Sequence, residues 1–174
     1  MKMQFTYNIF LIGFMGSGKS TVADYLCEKF DMDVVEMDQV IAERERMSIS
    51  DIFEKHGELY FRDLETKLLV ELQEKTNTVV SCGGGAAMRE CNVTEMKKNG
   101  KVVLLTAKPE TILERVENNH DRPLLENNKT VAYIAELMEK RREKYEAAAD
   151  MIIETDGKSA QKICEEMIQR LGEQ

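Results

Sequence analysis

Short apolar runs alternate along this chain with segments in which apolar residues recur every three or four positions. The runs are rich in β-branched residues and predict strands. They cover residues 7–12, 33–36, 78–81, 101–106 and 151–154. The periodic segments predict helices. They cover residues 20–30, 39–46, 58–74, 109–117, 131–145 and 160–171. This alternation predicts an α/β fold of three layers (αβα), with a five-stranded parallel sheet between the helices.

Local signals mark two helix starts. The stretch Ser48-Ile49-Ser50-Asp51 places hydroxyl groups where they can cap the free N–H groups of a helix that begins there. Pro109 suits the first turn of another helix, because that turn does not need the missing N–H group. Both signals agree with the periodic pattern that follows them.

A polar segment interrupts the pattern between residues 118 and 129. It contains Pro123 and two Asn-Asn pairs, and core-like elements resume after it. These features favour a mobile lid over a linker between domains. The 174 residues suit one domain of ordinary size, and the sequence shows no internal repeat. We therefore expect a single domain over residues 1–174, with a lid at about 118–129.

The charge balance narrows the classes of partner. The formal net charge is -8, which argues against a broad basic surface for DNA or RNA. A few arginines in a cleft can still bind a small anion on an acidic protein. No apolar run approaches the roughly 20 residues of a membrane span, and we find no signal peptide. We expect a cytoplasmic protein with no nucleic-acid or membrane partner.

The cysteine spacing supports the same compartment. There is no Cys-x-x-Cys pair, and the two histidines complete no zinc-binding pattern with the cysteines. Scattered thiols of this kind are typical of reduced cysteines in a cytosolic enzyme. The four cysteines are Cys27, Cys82, Cys91 and Cys164.

A glycine-rich segment carries the clearest chemical signal. Residues 13–20 read Gly-Phe-Met-Gly-Ser-Gly-Lys-Ser and fit the P-loop pattern G-x-x-x-x-G-K-[ST]. The glycines let successive N–H groups point at phosphate oxygens, and the following helix turns its positive N-terminus toward the same anion. Lys19 would reach the β- and γ-phosphates, and the hydroxyl of Ser20 would coordinate Mg²⁺. A predicted strand precedes this loop and a helix follows it, so the segment predicts binding of a nucleoside triphosphate.

The P-loop alone does not separate kinases from GTPases, motors and transporter subunits. The chain is too short for a motor or a transporter ATPase with its coupling domains, and it has no Asn-Lys-x-Asp element to read guanine. Small P-loop kinases remain.

Five further segments follow the P-loop in a specific order. They are Glu36-Met37-Asp38, the run from Ser48 to Arg62 that includes Ile52-Phe53 and Gly57-Glu58, Gly83-Gly84-Gly85-Ala86, Arg122-Pro123-Leu124-Leu125, and an arginine-rich helix that ends in Tyr145. In this order and spacing the chain resembles the shikimate kinase family over nearly its whole length. The resemblance implies the P-loop kinase fold of the nucleoside monophosphate kinase type, with a substrate-binding segment at about 39–65.

The resemblance also implies the substrate-binding and catalytic residues. Asp38 would engage the hydroxyl that accepts the phosphate and take up its proton late in the reaction. Arg62 and Arg141 would clamp the substrate carboxylate, because the planar guanidinium group pairs with a carboxylate through two hydrogen bonds. Backbone N–H groups of a glycine turn would approach the substrate closely, and these residues are Gly83, Gly84 and Gly85.

Two alternatives stay open for the arginines. Arg62 can instead form an ion pair with Glu65. Arg142 can take the place of Arg141, because the family's Arg-x-Pro-Leu-Tyr motif here reads Arg-Arg-Glu-Lys-Tyr and lacks its proline. The apolar stripe of the predicted helix over 131–145 favours Arg141, which lies on it.

The nucleotide and metal sites follow the same resemblance. Arg122 would come from the lid and neutralise charge on the transferring phosphate, together with Lys19 as a catalytic group. Mg²⁺ would be held by Ser20 and Glu36, although the family has aspartate where this chain has Glu36. The ATP-binding residues would be Gly16, Ser17, Gly18, Lys19, Ser20, Thr21, Arg115, Arg122 and Lys158.

The implied reaction is transfer of the ATP γ-phosphate to the 3-hydroxyl of shikimate, a step toward chorismate and the aromatic amino acids. ATP and Mg²⁺ would be the cofactors, and we expect a monomer. Two other functions are weighed against it: another small-molecule kinase, such as a gluconate or nucleotide kinase, and an ATP-binding homologue that has lost catalysis.

Overall fold

A five-stranded parallel sheet forms the centre of the protein, as a computed structural model shows for residues 4–117 and 130–172. The strand order is β2-β3-β1-β4-β5, and every neighbouring pair is parallel. The predicted fold class is thereby confirmed. The strands are β1 (Asn8–Ile12), β2 (Asp33–Glu36), β3 (Thr78–Ser81), β4 (Gly100–Thr106) and β5 (Met151–Glu154).

Helices follow most of the strands and cover both faces of the sheet. They are α1 (Lys19–Phe30), α2 (Met37–Glu45), α3 (Ile49–His56), α4 (Glu58–Glu71), α5 (Glu90–Lys98), α6 (Pro109–Val116), α7 (Val131–Ala148) and α8 (Ala160–Gly172). There are also two short 3₁₀ helices. Leu72–Glu74 extends α4, and Ala86–Met88 follows the glycine turn after β3.

The central strand shows how the sequence makes the layers. β1 is buried along its whole length, and its side chains alternate between two cores. Phe10 and Ile12 pack into the core that contains residues of α4 and α7. Ile9 and Leu11 pack into the core formed with α1 and α8. The strand is apolar on both faces because helices cover it on both.

The predicted helix starts at Ser48 and Pro109 agree with the structure. The Ser48 hydroxyl accepts a hydrogen bond from the N–H of Asp51 at 3.1 Å, and Pro109 is the first residue of α6. Helix α7 continues three residues beyond the predicted end, to Ala148, because Ala148 adds another buried contact to the core. Local capping signals therefore located helix starts better than periodicity located helix ends.

Helix α5 is absent from the sequence-based prediction. Its sequence is mostly polar, and only Asn92 and Met96 are buried, so the apolar period is too weak to detect. Its position depends on hydrogen bonds: the Asn92 side chain donates to the Ala86 carbonyl at 2.9 Å and accepts from the Thr66 hydroxyl at 2.7 Å. Tertiary contacts, not an amphipathic pattern, define this helix.

The predicted lid, with Arg122, lies outside the described residues. Within 4–117 and 130–172, no helix is both long enough and apolar enough to cross a membrane.

Candidate active site

The candidate site forms where the carboxyl ends of three neighbouring strands meet. The P-loop follows β1, Glu36 ends β2, and the glycine turn follows β3. Ligands of open α/β sheets bind at this edge. A cleft of about 260 Å³ lies here, lined by Met15, Gly16, Gly18, Lys19, Ser20, Thr21, Glu36, Asp38, Ser81, Cys82, Gly83, Gly84 and Arg115.

The P-loop has the conformation its glycines allow. Gly16 and Gly18 have φ angles of 81° and 107°, in the left-handed region that favours glycine. Lys19 is the first residue of α1, and its ammonium group donates to the carbonyl oxygens of Gly13 at 2.7 Å and Phe14 at 3.2 Å. The side chain of Lys19 therefore lies along the loop, next to the positive end of α1. The loop, the lysine and the N-terminus of α1 together form a site suited to bind an anion.

Contacts from other elements hold the back of the loop. The Thr155 hydroxyl lies 3.0 Å from the carbonyl oxygen of Ser17, and Arg115 donates to the carbonyl oxygen of Gly16 at 2.9 Å. The side chain of Ser17 is buried and does not line the cleft. Sequence reasoning missed Thr155, because a single threonine after a strand carries no motif.

Arg115 and Lys158, both predicted to bind the nucleotide, lie in different parts of the structure. Arg115 lines the cleft. Lys158 does not, and its ammonium group forms an ion pair with Glu166 at 3.3 Å. The structure thus brings Arg115 to the phosphate loop and places Lys158 away from the cleft wall.

Glu36 and Ser20 meet inside the cleft. The Ser20 hydroxyl donates to Glu36 Oε2 at 3.1 Å. Burial raises the pKa of Glu36, while hydrogen bonds from Ser20 and Ser81 oppose that rise. A carboxylate and a hydroxyl at this separation are hard oxygen donors that suit Mg²⁺. In the part of the chain that the structure describes, no group of three or more His, Cys, Asp and Glu side chains is arranged to hold a metal.

Asp38 and Glu65 face each other across Gly83. A Cβ atom on Gly83 would lie 2.6 Å from Glu65 Oε2 and 2.8 Å from Asp38 Oδ1, so only glycine fits between the carboxylates. Asp38 is the second residue of α2 and lies in its first turn, where the helix dipole stabilises negative charge. Two carboxylates thus converge on the glycine turn, and that of Asp38 also lines the cleft.

Arg62 pairs with the buried carboxylate. Arg62 Nη1 donates to Glu65 Oε1 at 2.7 Å, and Nη2 lies 3.3 Å from the exposed Glu58. The same guanidinium group lies against Gly85, where a Cβ atom would be 2.6 Å from Nη1. The ion pair weighed as an alternative for Arg62 is therefore present, and it holds Arg62 against the glycine turn.

Glu65 has an unusual protonation equilibrium. Its side chain is 0% exposed, and no residue that the structure describes hydrogen bonds to Oε2. Burial raises the pKa of Glu65 from its ordinary value of 4.5 to about 7, although the neighbouring Arg62 acts in the opposite direction. Sequence reasoning named Glu65 only as a partner of Arg62 and missed this property, because burial is not visible in the motif.

The raised pKa of Glu65 predicts that the stability of the protein depends on pH. The folded chain retains the Glu65 proton where the unfolded chain releases it, so this stabilising contribution is complete below pH 4.5 and is lost as the pH rises toward 7. The shift corresponds to a decline on the order of 3 kcal/mol in the free energy of unfolding. We expect Glu65→Gln to remove most of that decline in urea unfolding at several pH values. Glu58→Gln, an exposed partner of the same arginine, should leave it unchanged. Equal pH slopes for wild type and Glu65→Gln would contradict the assignment.

The structure places Arg141 and Arg142 on different sides of α7. Arg141 Nη1 lies 3.1 Å from where a Cβ atom of Gly84 would be, and its guanidinium carbon is 5.8 Å from the centre of the Phe14 ring. Arg142 is exposed and pairs with Glu139 at 2.9 Å and Glu146 at 3.7 Å. Arg141 is therefore the arginine that meets the glycine turn, while Arg142 belongs to the surface.

The arrangement has three parts that adjoin one another. They are the phosphate-binding loop with its lysine, the carboxylate of Asp38, and the glycine turn with Arg62 and Arg141. Such a site can hold a triphosphate, a hydroxyl group to be phosphorylated and a second, anionic group of the acceptor. Fold and site together define a P-loop kinase that acts on a small molecule.

The comparisons with known proteins identify the family. The shikimate kinase family model matches residues 15–172, and the chain belongs to this family. The chain is 45% identical over 164 residues to the shikimate kinase of Persephonella marina, covering 94% of this chain and 98% of that protein. It is 41% identical over 160 residues to a shikimate kinase of Dehalococcoides mccartyi, covering 92% and 90%. The resemblance inferred from the motifs is confirmed.

Solved structures agree with the sequence relatives. The shikimate kinase of Acinetobacter baumannii in complex with shikimate superposes with a TM-score of 0.89 at 33% identity, covering 95% of this chain and 92% of that one. The shikimate kinase of Aquifex aeolicus gives 0.81 at 38% identity, covering 95% and 96%. A gluconokinase of Sinorhizobium meliloti gives only 0.61 at 17% identity, covering 98% and 94%, which shows a shared fold and no more.

Proposed function

We propose that this chain phosphorylates the 3-hydroxyl of shikimate with ATP and so takes part in aromatic amino acid biosynthesis. Its family makes it an ATP-dependent kinase. The observation that carries the choice of acceptor is the pair of arginines, Arg62 and Arg141, at a glycine turn next to Asp38. This arrangement suits an acceptor with a carboxylate and a hydroxyl, and the related Acinetobacter baumannii structure contains shikimate.

Asp38 orients the acceptor hydroxyl and takes up its proton. Its carboxylate lies in the cleft with the P-loop and next to Gly83, and this position supports a role at the junction of the two substrates. Phosphoryl transfer depends mainly on positioning and on charge stabilisation, so a fixed carboxylate at this junction is the chief protein contribution on the acceptor side.

The nucleotide side supplies the charge stabilisation. Lys19 and the N–H groups from Gly16 to Thr21 bind the phosphates, and Arg115 adds a positive charge at the cleft wall. Arg122 of the lid remains a prediction from the sequence, as does a nucleotide contact of Lys158. Ser20 and Glu36 hold Mg²⁺, which supplies charge neutralisation at the phosphates when it is bound.

The acceptor side supplies carboxylate recognition. Arg62 and Arg141 bind the carboxylate of shikimate, and Gly83, Gly84 and Gly85 allow the ring to approach the backbone. Glu65 already neutralises part of the charge of Arg62. Arg141 influences Glu65 electrostatically but, unlike Arg62, is not in direct ion-pair contact with it. Arg141 is therefore the stronger anchor for the substrate anion.

We also propose that the protein acts as a monomer in the cytoplasm. The scattered free cysteines suit a reducing compartment.

The deciding experiment is ADP release from MgATP in a coupled assay, with shikimate, gluconate and nucleoside monophosphates tested in parallel. A rise specific to shikimate is expected. A rise with another acceptor would support kinase activity but contradict the assignment of Arg62 and Arg141 to shikimate binding. ATP binding without turnover on any acceptor would favour a non-catalytic homologue.

Glu36→Gln tests the metal assignment. The variant keeps the shape of the side chain and removes its charge, so we expect the Mg²⁺ concentration at half-maximal activity to rise about tenfold. The control is Asp33→Asn, an exposed residue at the other end of β2, which should leave the Mg²⁺ titration unchanged. Superimposable titrations of wild type and Glu36→Gln would remove Glu36 from the metal site.

A further inference from the structure

Tyr145 is a buried tyrosine whose hydroxyl meets two parts of the substrate site. Its side chain is 5% exposed and packs in the core with Phe10 and Ile12. The hydroxyl donates a hydrogen bond to the carbonyl oxygen of Gly84. Its oxygen accepts a hydrogen bond from Arg141 Nη1 at 3.5 Å. One phenol thus bridges the glycine turn after β3 and the arginine of α7, which lie 57 positions apart in the sequence (residues 84 and 141).

The two hydrogen bonds are compatible with each other. A phenol has one proton to donate and lone pairs to accept with, so the proton goes to Gly84 and a lone pair faces the guanidinium. Burial raises the pKa of Tyr145, while Arg141 lowers it. The hydroxyl accordingly keeps the proton that the Gly84 bond requires.

We propose that Tyr145 is a positioning residue that fixes Arg141 and the Gly84 peptide for carboxylate binding. This inference rests on the proposed function, because it assigns Tyr145 a task in binding shikimate. Arg141 has a long side chain, and among the described residues the Phe14 ring and Gly84 also lie next to its guanidinium, while Glu65 acts on it electrostatically. A hydroxyl at a fixed place selects one of its rotamers before the substrate arrives.

The Gly84 bond acts on the backbone in the same way. In a planar trans peptide the carbonyl of one residue and the N–H of the next point in opposite directions. Holding the Gly84 carbonyl therefore also sets the direction of the Gly85 N–H, in the turn where the backbone approaches the substrate. Glycine has wide conformational freedom, so a consecutive run of three needs such an external restraint.

Packing alone does not provide this restraint. Tyr145 and Phe14 line a second, mostly apolar cavity of about 340 Å³. The ring borders this pocket on one side, and its hydrogen bonds fix the hydroxyl end. Removing the hydroxyl should let both the ring and Arg141 shift without emptying the core.

Tyr145→Phe tests the proposal, because it removes one oxygen atom and keeps the ring. We expect the KM for shikimate to rise about tenfold, while kcat and the KM for ATP change less than about twofold. Tyr25→Phe is the matched control: this half-buried tyrosine lies in α1, in the core on the other face of the sheet, and all three constants should stay unchanged.

A second acceptor separates positioning from general packing. The methyl ester of shikimate lacks the negative charge, so Tyr145→Phe and wild type should differ by less than about twofold in kcat/KM for the ester. An equal proportional loss for shikimate and its ester would overturn the proposal, as would an unchanged KM for shikimate. No turnover of shikimate by the wild-type protein would instead overturn the proposed function, and this inference with it.

A double-mutant cycle with Arg141→Gln provides an independent check. If the phenol acts through Arg141, adding Tyr145→Phe to Arg141→Gln should raise the KM for shikimate by less than about twofold instead of about tenfold. If the double variant instead raised the KM for shikimate by the product of the two single effects, the residues would act independently, and the proposal that Tyr145 acts through Arg141 would be overturned.

Discussion

Asp38→Asn is expected to lower kcat for shikimate phosphorylation by about 10² to 10⁴-fold, since it removes the group that takes up the acceptor proton. The amide has nearly the same shape as the carboxylate, so Gly83 and the start of α2 should keep their geometry. Affinity for MgATP should change little, because Lys19 and the P-loop bonds remain. The test is steady-state kinetics together with nucleotide binding measured by calorimetry.

The matched control for this change is Asp51→Asn. Asp51 also lies in the first turn of a helix, α3, but it is exposed, and it is its backbone N–H group that donates to the capping hydroxyl of Ser48. Its variant should retain wild-type turnover. If Asp38→Asn kept more than about one tenth of the activity, Asp38 would lose its role as proton acceptor.

Gly83→Ala should be nearly as damaging, for a steric reason. The new Cβ atom would lie 2.6 Å from Glu65 Oε2 and 2.8 Å from Asp38 Oδ1, so at least one carboxylate has to move. Glu65 is fully buried and held by Arg62, which leaves Asp38 as the side chain to be displaced. A displacement near 1 Å at a reacting group costs about 100-fold in rate, and we expect that loss in kcat/KM.

Gly172→Ala is the control for this substitution. A Cβ atom there would meet nothing within 4 Å, and its backbone is helical. Activity should be unchanged, and the free energy of unfolding should change by less than about 1 kcal/mol. Urea unfolding of both variants separates a local clash from loss of the fold. Near-normal kcat/KM in Gly83→Ala would show that the two carboxylates have more room than the structure gives them.

Features encoded by neighbouring residues were predicted well. The P-loop is contiguous, and the chemistry of phosphate binding requires its glycines, lysine and serine at fixed spacing. The β-rich runs predicted the strands almost to the residue, and most clearly for β1, because a strand buried on both faces needs apolar residues along most of its length. Ser48 was recognised as a helix cap for the same reason, since the bond it makes spans only three positions.

Features that depend on distant residues were not predictable in the same way. Helix α5 carries almost no periodic signal and depends on Asn92 for its attachment. The sequence left Arg141 and Arg142 as alternatives for one role, and their positions on α7 separated them. The hydroxyl of Tyr145 gained a partner only when the turn after β3 was brought next to α7.

The sequence by itself determined the class of fold, the phosphate loop and the family, because local geometry and ordered motifs fix all three. The tertiary structure alone decided which carboxylates and arginines meet. Burial of Glu65 and its raised pKa, the contact of Asp38 with Gly83 and the bridge from Tyr145 to Gly84 exist only after folding. The physical reason is that desolvation and close approach depend on residues that are remote in the chain and adjacent in space.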